Sequence, residues 1–270
     1  MPDPCKQLLS VSKKTHKWIL NQPNVGEESL TDWILYEISQ RIKKSGYIKF
    51  NRHEEARKTG ADWEWWFIGK TKSLRLRVQA KKVEGTKDVY PSLAYTNKYG
   101  LQIEKLIQDS KTVNAIPMYA LYTAPSGMPK VKCTGKPNPG KGEGVFISDA
   151  NYLFNKYIKP GRSKVGPAQI IEDSNPLSCL LCCPISNGGD TVLRLKRVLA
   201  HYFQTEDTIH ENEDNVGLHD DYPNYVHYIL RHMGKPIPEW WEQEFSRWIE
   251  GFNAVMVFDC RALEKEENVF

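Results

Sequence analysis

The stretch GADWEWWFIGKTKSLRLRVQAKKV, residues 60–83, decides the fold. Its first half is aromatic. Its second half alternates Leu74, Leu76 and Val78 with Arg75 and Arg77, the period-two pattern of a β-strand, and residues 69–73 (GKTKS) supply a turn between them. The pattern predicts a β-hairpin folded about residues 70 and 71. Facing positions in such a hairpin sum to about 141, so Asp62 falls opposite Gln79. Side chains two apart share a face, so Glu64 projects with Asp62, and Lys81 with Gln79. An acid, an amide and an ammonium group are thereby expected in one patch.

Upstream, residues 27–44 place Leu30, Trp33, Ile34, Ile38 and Ile42 at spacings of three and four, an amphipathic helix with Ser29 and Asp32 as a capping pair. Residues 47–50 form a short strand. Residues 1–26, broken by Pro2, Pro4 and Pro23, read as a loosely packed lead-in. Downstream, residues 99–112 return to helical spacing through Leu101, Ile103, Leu106 and Ile107, and residues 116–123 form an apolar strand. The order is helix, three strands, helix, strand. We therefore expect an α/β (α+β) protein with a mixed central sheet.

The Gly, Pro and Lys-rich stretch 126–144 marks a boundary. It divides the chain into the lead-in 1–26, a core 27–125, and a largely helical α/β extension 126–270 packed on that core. In the extension a strand is expected at 144–148, helices at 149–158, 191–204, 222–233 and 238–251, a loop at 161–175, and an apolar strand at 254–260. The acidic stretch 206–221 reads as a solvated loop.

With 40% hydrophobic and 26% charged residues the chain has the balance of a globular protein, which excludes a disordered one. A net charge of +4 is too mild to hold a polyanion unless Lys and Arg cluster locally. No apolar run approaches the roughly 20 residues of a membrane span, so a cytoplasmic protein that does not enter the membrane is expected. In a reducing compartment the six cysteines are expected as thiols or ligands. The spacing of Cys179, Cys182 and Cys183 leaves zinc open, although Leu180 and Leu181 suggest a buried segment instead.

The patch on the hairpin suits phosphodiester hydrolysis. Asp62 with further oxygen ligands would hold Mg²⁺ or Mn²⁺, and Lys81 would position the attacking water or offset developing charge. The bland alternative is a wet hairpin edge that happens to carry polar residues.

Asp62, a gap of about seventeen residues, and then Gln79-Ala80-Lys81 resembles the PD-(D/E)xK (restriction-endonuclease-like) nuclease superfamily, in particular its Mrr-like branch, where Gln stands in the usual acidic position. The element order over residues 27–123 is similar to that superfamily's αβββαβ core. The string EARKTGADWEWW (55–66), followed by RVQAKK, also resembles bacterial proteins of this superfamily, some associated with antiphage defence. The resemblance implies a metal-dependent endonuclease with Asp62, Gln79 and Lys81 as its catalytic set and DNA favoured over RNA. A homo-oligomer is compatible with it. A nuclease-fold binding module that has lost hydrolysis is the second reading, because an amide oxygen is a weaker ligand than a carboxylate.

Another acid should compensate for Gln79. We assign Glu64 or Glu28 as the auxiliary ligand, with Glu27 and Glu55 as alternatives. Helical projection puts Glu27 on the side of Ile34 and Ile38, and Glu28 just before the expected cap. Lys82, Arg77, Gln102 and Lys98 are the expected nucleic-acid contacts around the hairpin and the helix after it.

Overall fold

The computed structural model describes residues 3–50, 58–82, 93–133, 138–161, 165–183, 190–203, 215–236, 238, 240–245 and 251–261. The chain begins with a helix, α1 (Pro4–Asn21), where a loose lead-in was expected. The side chain of Asp3 accepts the backbone N–H of Cys5, and Pro4 occupies the first turn, where its missing N–H costs nothing. The buried face carries Leu8, Val11, Ser12, Thr15 and Ile19. Two of those five are polar, which hid the helical period from a hydrophobicity reading.

Helix α2 (Glu27–Arg41) begins at Glu27 with Gly26 as its cap, so the Ser29–Asp32 pair lies inside the helix and does not start it. Strands β1 (Ser45–Lys49), β2 (Trp63–Ile68) and β3 (Ser73–Lys82) follow. β2 and β3 pair antiparallel with Trp63 opposite Val78 and Ile68 opposite Ser73, the register expected from the turn. After a two-residue hairpin (96–97 with 100–101) come α3 (Gln102–Thr112) and β4 (Ile116–Tyr122), parallel to β3.

The second half adds β5 (Val145–Asp149), antiparallel to β4, then helical residues 150–153 that widen to a π-turn over 154–158. The expected loop 161–175 contains a short helix at Pro167–Glu172. Further elements are β6 (Asn175–Pro176), a turn of helix at Cys179–Cys182, α4 (Thr191–Phe203), β7 (Leu218–His219), α5 (Asn224–His232), a helical segment at Trp240–Phe245, and β8 (Ala254–Asp259). Among the described residues no helix is long and apolar enough to cross a membrane.

One mixed sheet runs in the order β1-β8-β2-β3-β4-β5-β6, with β7 pairing the start of β3. β8 lies between β1 and β2, parallel to β2 and antiparallel to β1. The two sides of the expected boundary at 126 therefore share a single sheet. Helices α1, α2 and α4 pack on one face against Trp63, Trp65, Phe67, Leu74, Leu76 and Val78. Helices α3 and α5 and the segment around Trp241 cover the other, against Trp66, Ile68, Tyr119, Leu121, Val255 and Val257.

A wet hairpin edge was the alternative reading, but both faces of β3 are covered. Arg75 and Arg77 lie on the α3 side, where Glu64 and Asp109 neutralise them. A second departure concerns the cysteines. Cys5 and Cys182 form a disulfide, tying α1 to the 179–182 turn across 177 residues of chain. Sequence spacing gives no hint of this pair, because only the fold brings α1 beside that turn. A crosslink closing so long a loop stabilises by about 2–4 kcal/mol in typical cases.

Candidate active site

Asp62 stands just ahead of β2, its backbone N–H bonded to the Val78 carbonyl (2.8 Å), which carries the hairpin register one step beyond the strand. One carboxylate oxygen, Oδ2, accepts the backbone N–H of Ala80 (2.7 Å) and the side-chain amide of Gln79. The same Gln79 Nε2 also donates to the Ala80 carbonyl (2.9 Å). A single NH₂ group thus sits between the Asp62 carboxylate and a backbone carbonyl.

The other end of the Gln79 amide is held as well. Its Oε1 accepts from Gln102 Nε2 (2.6 Å), on the first residue of α3, while Gln102 Oε1 is buried without a hydrogen-bond partner among the described residues. Turning both amides over would reverse the bond between them and pass the orphan from the Gln102 oxygen to its Nε2. Gln102 Oε1 would then accept from Gln79 Nε2, and Gln79 Oε1 would face the Asp62 carboxylate and the Ala80 carbonyl. In that arrangement either a proton on Asp62 or a cation would lie between the oxygens. Gly60 keeps α3 this close: its φ is +77°, and an added Cβ would lie 2.5 Å from the Gln102 carbonyl oxygen.

Lys81 is buried and extends along the same face as Gln79, its Nζ 4.0 Å from Glu27 Oε1 and 5.9 Å from the centre of the Tyr95 ring. Glu27, the first residue of α2, also accepts the backbone N–H of Lys82 through Oε2 (2.7 Å). Glu28 instead points to Lys49, 3.4 Å away, with its side chain 65% exposed. The acid at the site is therefore Glu27 and not Glu28. The cause is helical phase: Glu27 lies four residues before Thr31, whose hydroxyl meets Tyr122 at the end of β4. Glu55 lies outside the described residues.

Glu64 is likewise not beside Asp62 as a ligand. Its Oε1 accepts from Trp66 Nε1 (2.6 Å) and Tyr225 OH (2.5 Å), and its Oε2 from Arg75 Nε and Arg77 Nε (2.8 Å each). Four donors saturate a carboxylate. Burial alone would push the Glu64 carboxyl up, but Arg77 and Arg75 hold it below the usual carboxylate range. Arg77 continues to Asp109 (2.6 Å) and lies over the Phe252 ring.

That network also removes Arg77 from the expected nucleic-acid contacts, since its side chain is 3% exposed. Lys82 is buried, and its Nζ is turned onto the Pro23 carbonyl (2.5 Å). Gln102 is part of the site through Gln79. Lys98 is exposed in the turn before α3, over the Tyr99 ring, and not on the helix. As for zinc, Cys182 is taken by Cys5, while Cys133 and Cys179 pack around Val198.

Burial pushes the Asp62 carboxyl up to about 7; Lys81 and the Ala80 N–H oppose the shift, and Glu27 and Glu28 add to it. A carboxyl whose folded pKa is raised binds its proton more tightly in the native state. Its contribution to stability is therefore largest at low pH and declines as pH rises from about 4 to about 7.

Tyr119, opposite Gln79 on β4, was not singled out from the sequence. It is fully buried, its hydroxyl lacks a hydrogen-bond partner among the described residues, and burial with the nearby Asp62 and Glu27 charges drives its pKa upward. Its only sequence signal was a place in an apolar strand. Among the described residues no three His, Cys, Asp or Glu side chains gather into a ligand group, so a metal here must draw on amide and carbonyl oxygens too. Were the Gln79 amide turned, Asp62, Gln79 Oε1 and the Ala80 carbonyl would present oxygens of the kind Mg²⁺ and Mn²⁺ take, with Glu27 on the neighbouring Lys81 and Lys82.

A family model described as a family of unknown function (DUF6615) matches residues 4–260. No curated protein matches the chain.

Proposed function

The chain belongs to the DUF6615 family, and we propose that it is a metal-dependent endonuclease hydrolysing nucleic-acid phosphodiester bonds, with DNA favoured over RNA. The observation that carries this reading is the Gln79 NH₂ group held between the Asp62 carboxylate and the Ala80 carbonyl, a position where a cation would meet two oxygens. The order of elements around the hairpin and its resemblance to the PD-(D/E)xK superfamily support the same reading. Asp62, Gln79 and Ala80 would hold Mg²⁺ or Mn²⁺, with Glu27 as the additional acid. The bound ion supplies charge stabilisation at the phosphate and lowers the pKa of water.

The residues have separable tasks. Asp62 gives up its proton to become a ligand. Gln79, turned by Gln102, offers an uncharged oxygen. Lys81, buried beside two carboxylates, keeps one cationic group at the position where a phosphate would gain negative charge, and Glu27 holds its ammonium there. A cytoplasmic setting and an antiphage role are further parts of the proposal, resting on the resemblance. A homo-oligomer would be the means of cutting both strands.

Purified protein incubated with plasmid, single-stranded DNA and RNA should give products with Mg²⁺ or Mn²⁺ and none with a chelator. Lys81→Ala should lower the rate by about 10²-fold or more. A folded protein that binds DNA yet gives no metal-dependent product on any of the three would instead be a binding module, with the Gln79 amide standing permanently where a cation would go. Undiminished cleavage by folded Lys81→Ala would remove the assigned role of the lysine.

Metal affinity should also follow the Asp62 proton. We expect the dissociation constant for Mn²⁺, followed by water-proton relaxation, to rise about tenfold for each pH unit below 7 and to level off above it. An affinity constant from pH 5 to 8 would mean that Asp62 is not a ligand.

A further inference from the structure

Of the basic residues expected as contacts, Arg77 and Lys82 are internal, and a row of exposed ones lies on α1. Lys6, Lys13 and Lys17 fall seven and four residues apart on α1, which places them along one exposed face. At 1.5 Å per residue they span about 16 Å. No acidic residue occurs between Pro4 and Asn21. Lys14, beside this row, is paired with Glu37 at 3.3 Å.

The row is one wall of a groove. A cavity of about 490 Å³ lies between α1 and the 138–143 turn, lined by Lys13 and Lys17 on one side and Lys141 on the other, with Leu9 and His16 between. A contiguous hollow of about 330 Å³ extends it along α1 past Ser10 to Lys6. The one acid at its edge, Glu143, is buried, with Oε1 held by the Ser178 hydroxyl (2.9 Å).

The two walls are fixed to each other. Ser12 accepts the backbone N–H groups of Gly144 and Val145 through its hydroxyl (3.2 Å each), and its carbonyl accepts Gly144 N–H (2.9 Å). At Gly144 a Cβ would lie 2.3 Å from the His16 nitrogen, so only glycine permits this approach. Beyond Lys17 the helix ends and the chain passes through Pro23, whose carbonyl holds Lys82, to Glu27. The groove therefore leads toward the end of the sheet that carries Asp62.

We propose that this groove binds the sugar–phosphate backbone of a nucleic acid through Lys6, Lys13, Lys17 and Lys141. Four exposed ammonium groups without an ion pair among the described residues, spread along a rigid concave track, match a regular row of phosphates. A flat lipid surface would meet the rim of such a groove and miss its floor. The polymer's identity rests on the endonuclease reading, but the binding does not require cleavage, so the two can fail separately.

The test is binding of a fluorescent 20-mer, duplex or single-stranded, to the full chain at several salt concentrations in chelator. The variant is Lys6→Gln, Lys13→Gln, Lys17→Gln and Lys141→Gln together. The slope of log affinity against log salt should flatten by about 0.9 per lost contact on duplex, or about 0.7 on single strands. Lys→Arg at the same four positions should restore it. An unchanged slope in a folded Gln variant would overturn the proposal, and so would weak 20-mer binding accompanied by tight, lysine-dependent binding of polyglutamate or phosphatidylserine vesicles. If the slope changes as expected and no cleavage is seen, the groove stands and the endonuclease reading falls. Cleavage with an unchanged slope gives the reverse.

Discussion

Asp62→Asn is expected to abolish metal-dependent cleavage, by about 10³-fold or more, and at the same time to stabilise the fold above pH 7. The two effects have one cause. The Asp62 carboxyl is held in surroundings that raise its pKa to about 7, so the ionised form that a metal requires is the form the protein alone disfavours. An amide oxygen introduced there keeps the hydrogen bonds from Ala80 N–H and the Gln79 amide, and carries no charge near Glu27. The stability gain should be on the order of 4 kcal/mol at pH 8, the worth of a pKa raised from 3.8 to about 7, and should vanish near pH 4, where the acid is already protonated. Initial cleavage rates and urea midpoints at both pH values measure the pair. A variant that cleaves normally would remove Asp62 from the chemistry. One that is less stable at pH 8 would show that its charge serves the fold.

The hairpin is where sequence reading went furthest. A turn and two alternating strands are local features, and they set the register that brings Gln79 opposite Asp62. The mixed sheet and the helix before it were legible for the same reason. What failed was non-local. Nothing within residues 254–259 announces that they lie between β1 and β2, because an apolar run reads the same at an edge and at a centre. The choice of Glu27 over Glu28 was open to helical projection and turned on one residue of phase. α1 was missed because Ser12 and Thr15 face inward to bond backbone, and hydrophobic periodicity cannot see polar groups buried for that purpose. Arg75 and Arg77 misled in the opposite sense: charge alternating along a strand implied solvent, and the solvent is replaced by Glu64 and Asp109.

Glu64→Gln should therefore act on the fold and not on the metal. Removing the Glu64 charge leaves the guanidinium groups of Arg75 and Arg77 without their common partner, 13% and 3% exposed, and Asp109 balances only Arg77 at contact distance. Breaking a buried ion pair in this way costs about 3–5 kcal/mol, far more than an exposed pair would. The sign with pH follows from the depressed Glu64 pKa. Its contribution is fully present above the ordinary value of 4.5 and is lost as pH falls through the lower native one, so wild type and variant should converge only in strong acid. Urea midpoints at pH 7 and pH 3 test this. Replacing the whole group, with Glu64→Leu, Arg75→Met and Arg77→Met together, should recover much of the loss, because apolar residues of similar volume avoid the desolvation that the ions must offset. If Glu64→Gln proved as stable as wild type yet failed to bind Mn²⁺, Glu64 would be a ligand, and its saturated carboxylate would have to open to reach the ion.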